Sequence, residues 1–131
     1  MKGSAFSAIV RVFVLAAFLI TAVQSSAFAA EWKIDVANYS GKTINYLYCK
    51  RSDSTDWGKD ILRSDQVLKH GESITINFGE NPAEYYDLRA VWAESPKIGK
   101  GKDNWWGGFQ VRRVAIVRIG MDLTVNYVYR D

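Results

Sequence analysis

Short runs in which apolar and polar residues alternate with a period of two, each closed by a turn signal, constrain this chain more than any other feature. Trp32, Ile34 and Val36 fall on one side of the first run, and Lys33, Asp35 and Ala37 on the other. Successive side chains on opposite faces are the mark of a half-buried strand. Tyr39-Ser40-Gly41-Lys42 follows, with a glycine to supply positive φ. Thr43–Cys49 is rich in β-branched and aromatic residues, with Ile44, Tyr46 and Tyr48 expected on one face and Asn45, Leu47 and Cys49 on the other. Two such runs around a short glycine-containing loop read as a hairpin. Lys50–Asp65 is the longest loop, with one helical turn expected near Asp60–Leu62.

Further strands are expected over Glu72–Phe78, Tyr85–Ala93, Trp105–Phe109 (interrupted by Gly107-Gly108), Val111–Ile119 and Met121–Tyr129. About six to seven short strands with no useful helical periodicity predict an all-β domain, a single antiparallel β-sandwich or open barrel.

The first 29 residues do not share this pattern. Lys2 and Arg11 form a positive region, Val12–Val23 an apolar run, Gln24-Ser25-Ser26 a polar stretch and Ala27-Phe28-Ala29 an A-x-A cleavage site. This is the layout of a helical secretory signal peptide. The apolar run is well short of the roughly 20 residues that span a bilayer. The expectation is cleavage after Ala29, a domain over residues 30–131 with no membrane span, and a bacterial protein exported to the periplasm or beyond.

The leader carries two basic residues and no acidic one, so the formal +3 of the chain becomes +1 in residues 30–131. That argues against a nucleic-acid partner, which calls for a strongly basic face. All five Trp and all seven Tyr remain in the domain, and large aromatic side chains of this kind supply much of a core that has no disulfide. One Cys and one His exclude an internal disulfide, a C-x-x-C site and multi-histidine metal cages. No cofactor is expected.

Ile44, Leu47 and Tyr48 fit I-x-x-L-Y. Trp57, Gly58, Asp60 and Leu62 fit W-G-x-D-x-L. Leu68, Gly71, Ser73 and Ile74 fit L-x-x-G-x-S-I, and Tyr86, Asp87, Leu88 and Arg89 fit Y-D-L-R. In this order and spacing, over roughly residues 38–92, the chain resembles a group of small exported bacterial proteins with no established activity. The resemblance implies an exported β domain. Some members carry the label argininosuccinate lyase, a large helical oligomer that a chain of this length cannot build.

Candidate sites are few. Trp105-Trp106, beside Gly107-Gly108 and near Asp103, Asn104 and Gln110, make a platform on which a sugar or another ring can stack. Adjacent strand residues point to opposite faces, so at most one of the pair is naturally buried. Trp57 is either a further contact residue or an anchor of its loop. Asp53, Asp56 and Asp60 are hard oxygen ligands on one loop and weak candidates for calcium, but they lack the EF-hand order. Asp87 and Arg89 share a strand face and are expected to form surface ion pairs. His70 reads as a turn residue, and no G-x-S-x-G elbow or Cys–His pairing accompanies it. Cys49 reads as a small apolar group, with an intermolecular disulfide as the alternative. Arg112, Arg113, Arg118, Lys97, Lys100 and Lys102 read as ordinary surface charge or a patch for anionic glycans or membrane.

The sequence thus points to an exported, non-catalytic binding module for a carbohydrate or other envelope ligand. The runner-up is a protein-interaction or inhibitor domain acting through a strand edge or loop, with an envelope protein as partner. A small carboxylate-based hydrolase is the least favoured reading.

Overall fold

Seven strands form where the alternation predicts strands, and no helix forms among the described residues, 30–93 and 102–131 of a computed structural model. The expected signal peptide over residues 1–29 and the lysines Lys97 and Lys100 lie outside the described residues. The strands are β1 Lys33–Asn38, β2 Ile44–Arg51, β3 Ser73–Asn77, β4 Tyr85–Trp92, β5 Asp103–Gln110, β6 Val114–Ile119 and β7 Val125–Tyr129. They pair into a four-stranded sheet of order β3-β1-β6-β7 and a three-stranded sheet of order β2-β4-β5. Glu31–Asp131 forms one compact unit.

The inner faces of both sheets meet in one apolar cluster. Ile34, Val36, Val117 and Ile119 come from the four-stranded sheet, and Ile44, Leu47, Leu88, Ala90, Trp92 and Phe109 from the other. Leu62 and Leu68 close the cluster from the long loop after β2. A fully buried Leu, Ile or Val stabilises by about 1.5–3 kcal/mol through apolar burial, so this cluster is the principal bond between the sheets.

Five features depart from the sequence expectation, each with a local cause. β1 and β2 are not a hairpin; the chain changes sheets between them. Asn38, fully buried, anchors that crossing. Its Nδ2 donates to the carbonyls of Lys42 and Leu68, both at 2.8 Å, while its Oδ1 accepts from the Ser40 amide and hydroxyl. β1 instead pairs antiparallel with β3 and parallel with β6, so the sandwich is antiparallel in every pair but one.

In β2 the register slips between Ile44 and Tyr46, and the bulge at Asn45 turns both Ile44 and Leu47 into the core. A simple alternation had put those two on opposite faces; an extra residue reverses the phase beyond it. Near Asp60–Leu62 there is no helical turn, because the Ile61 amide donates to the Leu47 carbonyl at 2.7 Å and ties the loop along β2. The last strand begins at Val125, after a turn in which Leu123 takes a positive φ of 64°.

Candidate functional site

The outer face of the three-stranded sheet gathers most of the chemistry-bearing side chains. The pairing register sets Tyr48 opposite Arg89 and Lys50 opposite Asp87 between β2 and β4. It sets Arg89 opposite Trp105 and Val91 opposite Asp103 between β4 and β5. These residues therefore share the face turned away from Leu47, Leu88 and Ala90, which lie in the core.

Trp105 is the most exposed aromatic on that face, at 60%. Its ring lies over Gly107, two residues along the same strand: a Cβ there would stand 3.2 Å from the Trp105 ring and 3.1 Å from Asp87 Oδ1. Only glycine lets the indole settle so close to the backbone. Trp57, from the long loop, meets Trp105 edge to face, with ring centroids 6.2 Å apart and planes at 70°. Such a pair contributes about 0.5–1.5 kcal/mol beyond its burial. Lys50 Nζ stands 5.0 Å from the Trp57 ring centre, and the Arg89 guanidinium 5.9 Å from the same ring and 5.5 Å from Tyr48.

Asp87 holds this arrangement from beneath. Lys50 Nζ donates to its Oδ2 at 2.9 Å, while the Ser52 hydroxyl and the Gly108 amide donate to Oδ1 at 2.6 and 3.0 Å. Gly108 reaches it from a bulge in β5, with a φ of 80°. Burial works to raise the Asp87 carboxyl, but the hydrogen bonds from Ser52, Lys50 and Gly108 outweigh it and hold the carboxyl below the usual carboxylate range. Across β4, Arg89 Nε donates to Asp103 Oδ2 at 2.7 Å. Asp87 and Arg89 thus pair across strands as expected, although Asp87 is buried rather than on the surface.

The other candidate residues fall elsewhere. Trp106 points to the opposite face of β5 from Trp105, packs against the core and donates its indole N–H to the Leu123 carbonyl at 2.9 Å. Strand alternation thus takes it off the platform. Asp53 accepts both an Nε and an Nη2 hydrogen bond from Arg51, at 3.1 and 3.0 Å. Asp56 accepts from the Gly58 amide in a local turn at 2.9 Å. Asp60 accepts from the amides of Leu47, at 2.8 Å, and Leu62, at 3.1 Å. The three calcium candidates therefore build loop structure separately, and no group of three or more His, Cys, Asp or Glu side chains is gathered among the described residues.

His70 Nδ1 accepts the Gly41 amide at 2.9 Å and so ties two turns together. Cys49 packs against the core, where burial, and secondarily the charge of Asp87, push its thiol up to about 12. Arg112 lies over Trp32 and Arg118 over Tyr39, so these two cations serve separate aromatic neighbours rather than one patch.

Tyr48 and Lys50 are the site residues that sequence reasoning missed, and the pairing of Asp103 with Arg89 was not foreseen. The alternation gives each residue's face, but cross-strand neighbours depend on register, and two bulges alter the register here. Every carboxylate on the platform is committed to a cation. No helix long and apolar enough to cross a membrane occurs among the described residues. Comparison with protein-family models, curated proteins and solved structures gives no match.

Proposed function

We propose that the protein is an exported, non-catalytic binding module, and that a carbohydrate of the cell envelope or its surroundings stacks on the Trp57–Trp105 platform. The observation that carries this reading is the exposed Trp105 indole, seated on Gly107 and braced by Trp57, with the Arg89–Asp103 pair beside it. A flat apolar face next to fixed donors and acceptors is what a sugar ring requires: its C–H face stacks and its hydroxyls hydrogen-bond. The pairing of Lys50 with Asp87 and of Arg89 with Asp103 favours binding over catalysis, since neither carboxylate is left to act as a free acid or base. Export rests on the leader, and membership in the group of small exported bacterial proteins rests on the motif pattern of residues 38–92.

Titration of tryptophan emission with a panel of saccharides tests the platform. At least one sugar is expected to shift the emission, and Trp105→Ala to weaken its binding about tenfold, the equivalent of one good ring contact. If no sugar perturbs the emission and Trp105→Ala changes nothing, the proposal fails.

A second reading has one observation in its favour. β5 is the terminal strand of its sheet and carries Trp105, so an extended peptide of an envelope protein can add to it as a further strand. On that reading a proline in the free edge of β5 abolishes capture of the partner.

A further inference from the structure

We infer that the ligand of the Trp57–Trp105 platform is an uncharged hexopyranose chain, with a ring on Trp105 and an exocyclic hydroxymethyl group in the notch beside Arg89 and Asp103. This assignment rests on the platform reading and adds the ligand's charge and the feature by which it is recognised.

Lys50 pairs with Asp87 at 2.9 Å, Arg89 with Asp103 at 2.7 Å and Arg51 with Asp53 at 3.0 Å. The loop that brings Trp57 adds Asp56 and Lys59, of opposite sign, and Asp60, whose carboxylate is held by the backbone amides of Leu47 and Leu62. Lys102, just before β5, lines the notch beside Arg89 and Asp103 and has no ion-pair partner among the described residues; it is exposed to solvent, where a single charge contributes little. A ligand with its own charge has to break one of the pairs or rely on the solvent-exposed Lys102 alone. A neutral, hydroxyl-rich ligand leaves the pairs in place.

Arg89, Val91, Lys102 and Asp103 line a notch of about 40 Å³ on the same face. That holds one or two water-sized groups, enough for a hydroxymethyl and too little for a ring. Arg89 is the cross-strand partner of Trp105, and Asp103 lies two residues along β5. The notch thus lies about 7 Å along the strand from the Trp105 backbone, on the side away from Gly107 over which the indole leans, within reach of a substituent on the pyranose next to the stacked one.

Val91 offers an apolar wall to the methylene. The Asp103 carboxylate accepts from a hydroxyl. Arg89 uses Nε on Asp103, and its terminal nitrogens have no partner among the described residues, so they are free to donate. A hydroxyl is both donor and acceptor and satisfies both sides at once.

The test uses the purified full chain and three families of soluble oligosaccharides: neutral gluco-oligosaccharides, xylo-oligosaccharides that lack the hydroxymethyl, and oligouronates that carry a carboxylate in its place. Binding is followed by tryptophan emission and calorimetry at low and high salt. The neutral hexose series is expected to bind with an affinity unchanged by salt, and the pentose series about tenfold more weakly, a typical discrimination for one small group in a fitted pocket. Val91→Phe, which fills the notch, is expected to erase the difference between hexose and pentose while binding still depends on Trp105. The three-sugar comparison needs no variant and stands if that one fails to fold. Tighter binding of the oligouronate, falling steeply with salt, overturns the neutral assignment and leaves the platform intact. Equal binding of hexose and pentose overturns the notch. Silence of all three families overturns the platform reading itself.

Discussion

Asp87 couples the stability of the fold to the geometry of the platform. Its carboxylate receives Lys50, Ser52 and Gly108 together, and Lys50 in turn lies against Trp57. Removing one partner of a buried ion pair costs about 3–5 kcal/mol because the other is left uncompensated; Asp87→Asn is therefore expected to destabilise by about 3 kcal/mol at neutral pH. The pH dependence follows from the direction of the shift. A carboxyl held low in the native state contributes stability that is complete above the unfolded value, about 3.9, and is lost as pH falls through the lower native value. Wild-type stability in urea should therefore fall on acidification below about pH 4, and the Asp87→Asn variant should lose visibly less over the same interval. An equal acid loss in both would show that Asp87 is not the titrating group. Cys49 gives a second check. Its thiol, pushed up to about 12 and packed on the core, should resist alkylation at neutral pH in the native protein and react promptly in denaturant. Rapid native labelling would reopen the intermolecular disulfide. The faces of Asp87 and Arg89 were legible from Tyr86-Asp87-Leu88-Arg89, since alternation alone sends Leu88 inward. Their partners were not, because Lys50 and Asp103 lie on other strands and only register brings them opposite.

Bulges do at the level of elements what no alternation pattern announces. β2 and β5 each carry one, and each decides which residues reach the site or the core. The slip at Asn45 puts Leu47 inward and therefore Tyr48 outward beside Arg89. The slip in β5 brings the Gly108 amide to Asp87 and lays Trp105 over Gly107. Glycines were readable there as an interruption, but their purpose, room for an indole and a carboxylate, was not. Gly107 does not need a positive φ, so Gly107→Ala tests the space alone. The added Cβ meets Asp87 Oδ1 at 3.1 Å and the Trp105 ring at 3.2 Å, and the indole is the more mobile of the two. Gly107→Ala is expected to shift Trp105 emission and weaken saccharide binding several-fold, while costing about 1 kcal/mol or less in stability, the scale of a minor steric adjustment. Retained affinity with an unchanged spectrum would show that Trp105 does not depend on its seat over Gly107. The parallel pairing of β1 with β6 was illegible for a related reason. Strand existence is a local property of the sequence, whereas pairing partners are settled by which apolar faces can be buried together, and the buried Asn38 commits the chain to leave its first sheet after β1.

The whole domain is two sheets joined through one core, and that arrangement governs how it should unfold. Backbone pairing divides the strands into separate sheets; what unites them is the shared cluster in which Ile34, Val36 and Val117 of one meet Leu47, Leu88 and Phe109 of the other. Neither sheet can keep its inner face dry alone, so loss of one exposes the other and the transition should be two-state. The tryptophans make this measurable. Trp57, Trp92, Trp105 and Trp106 belong to the three-stranded sheet or the loop beside it, so emission reports mainly on that half, whereas far-ultraviolet circular dichroism averages over both. The two probes are expected to give one midpoint in urea. Leu47→Ala, in the three-stranded sheet, and Val117→Ala, in the other, each delete a fully packed side chain. The Leu47 variant should lose about 2–5 kcal/mol by the combined loss of burial and the cavity left behind. The decisive point is that each substitution must move both probes together. If Val117→Ala shifts the circular dichroism and leaves the emission midpoint in place, the sheets unfold independently, and the platform would then stand on a three-stranded sheet able to hold its shape without its partner.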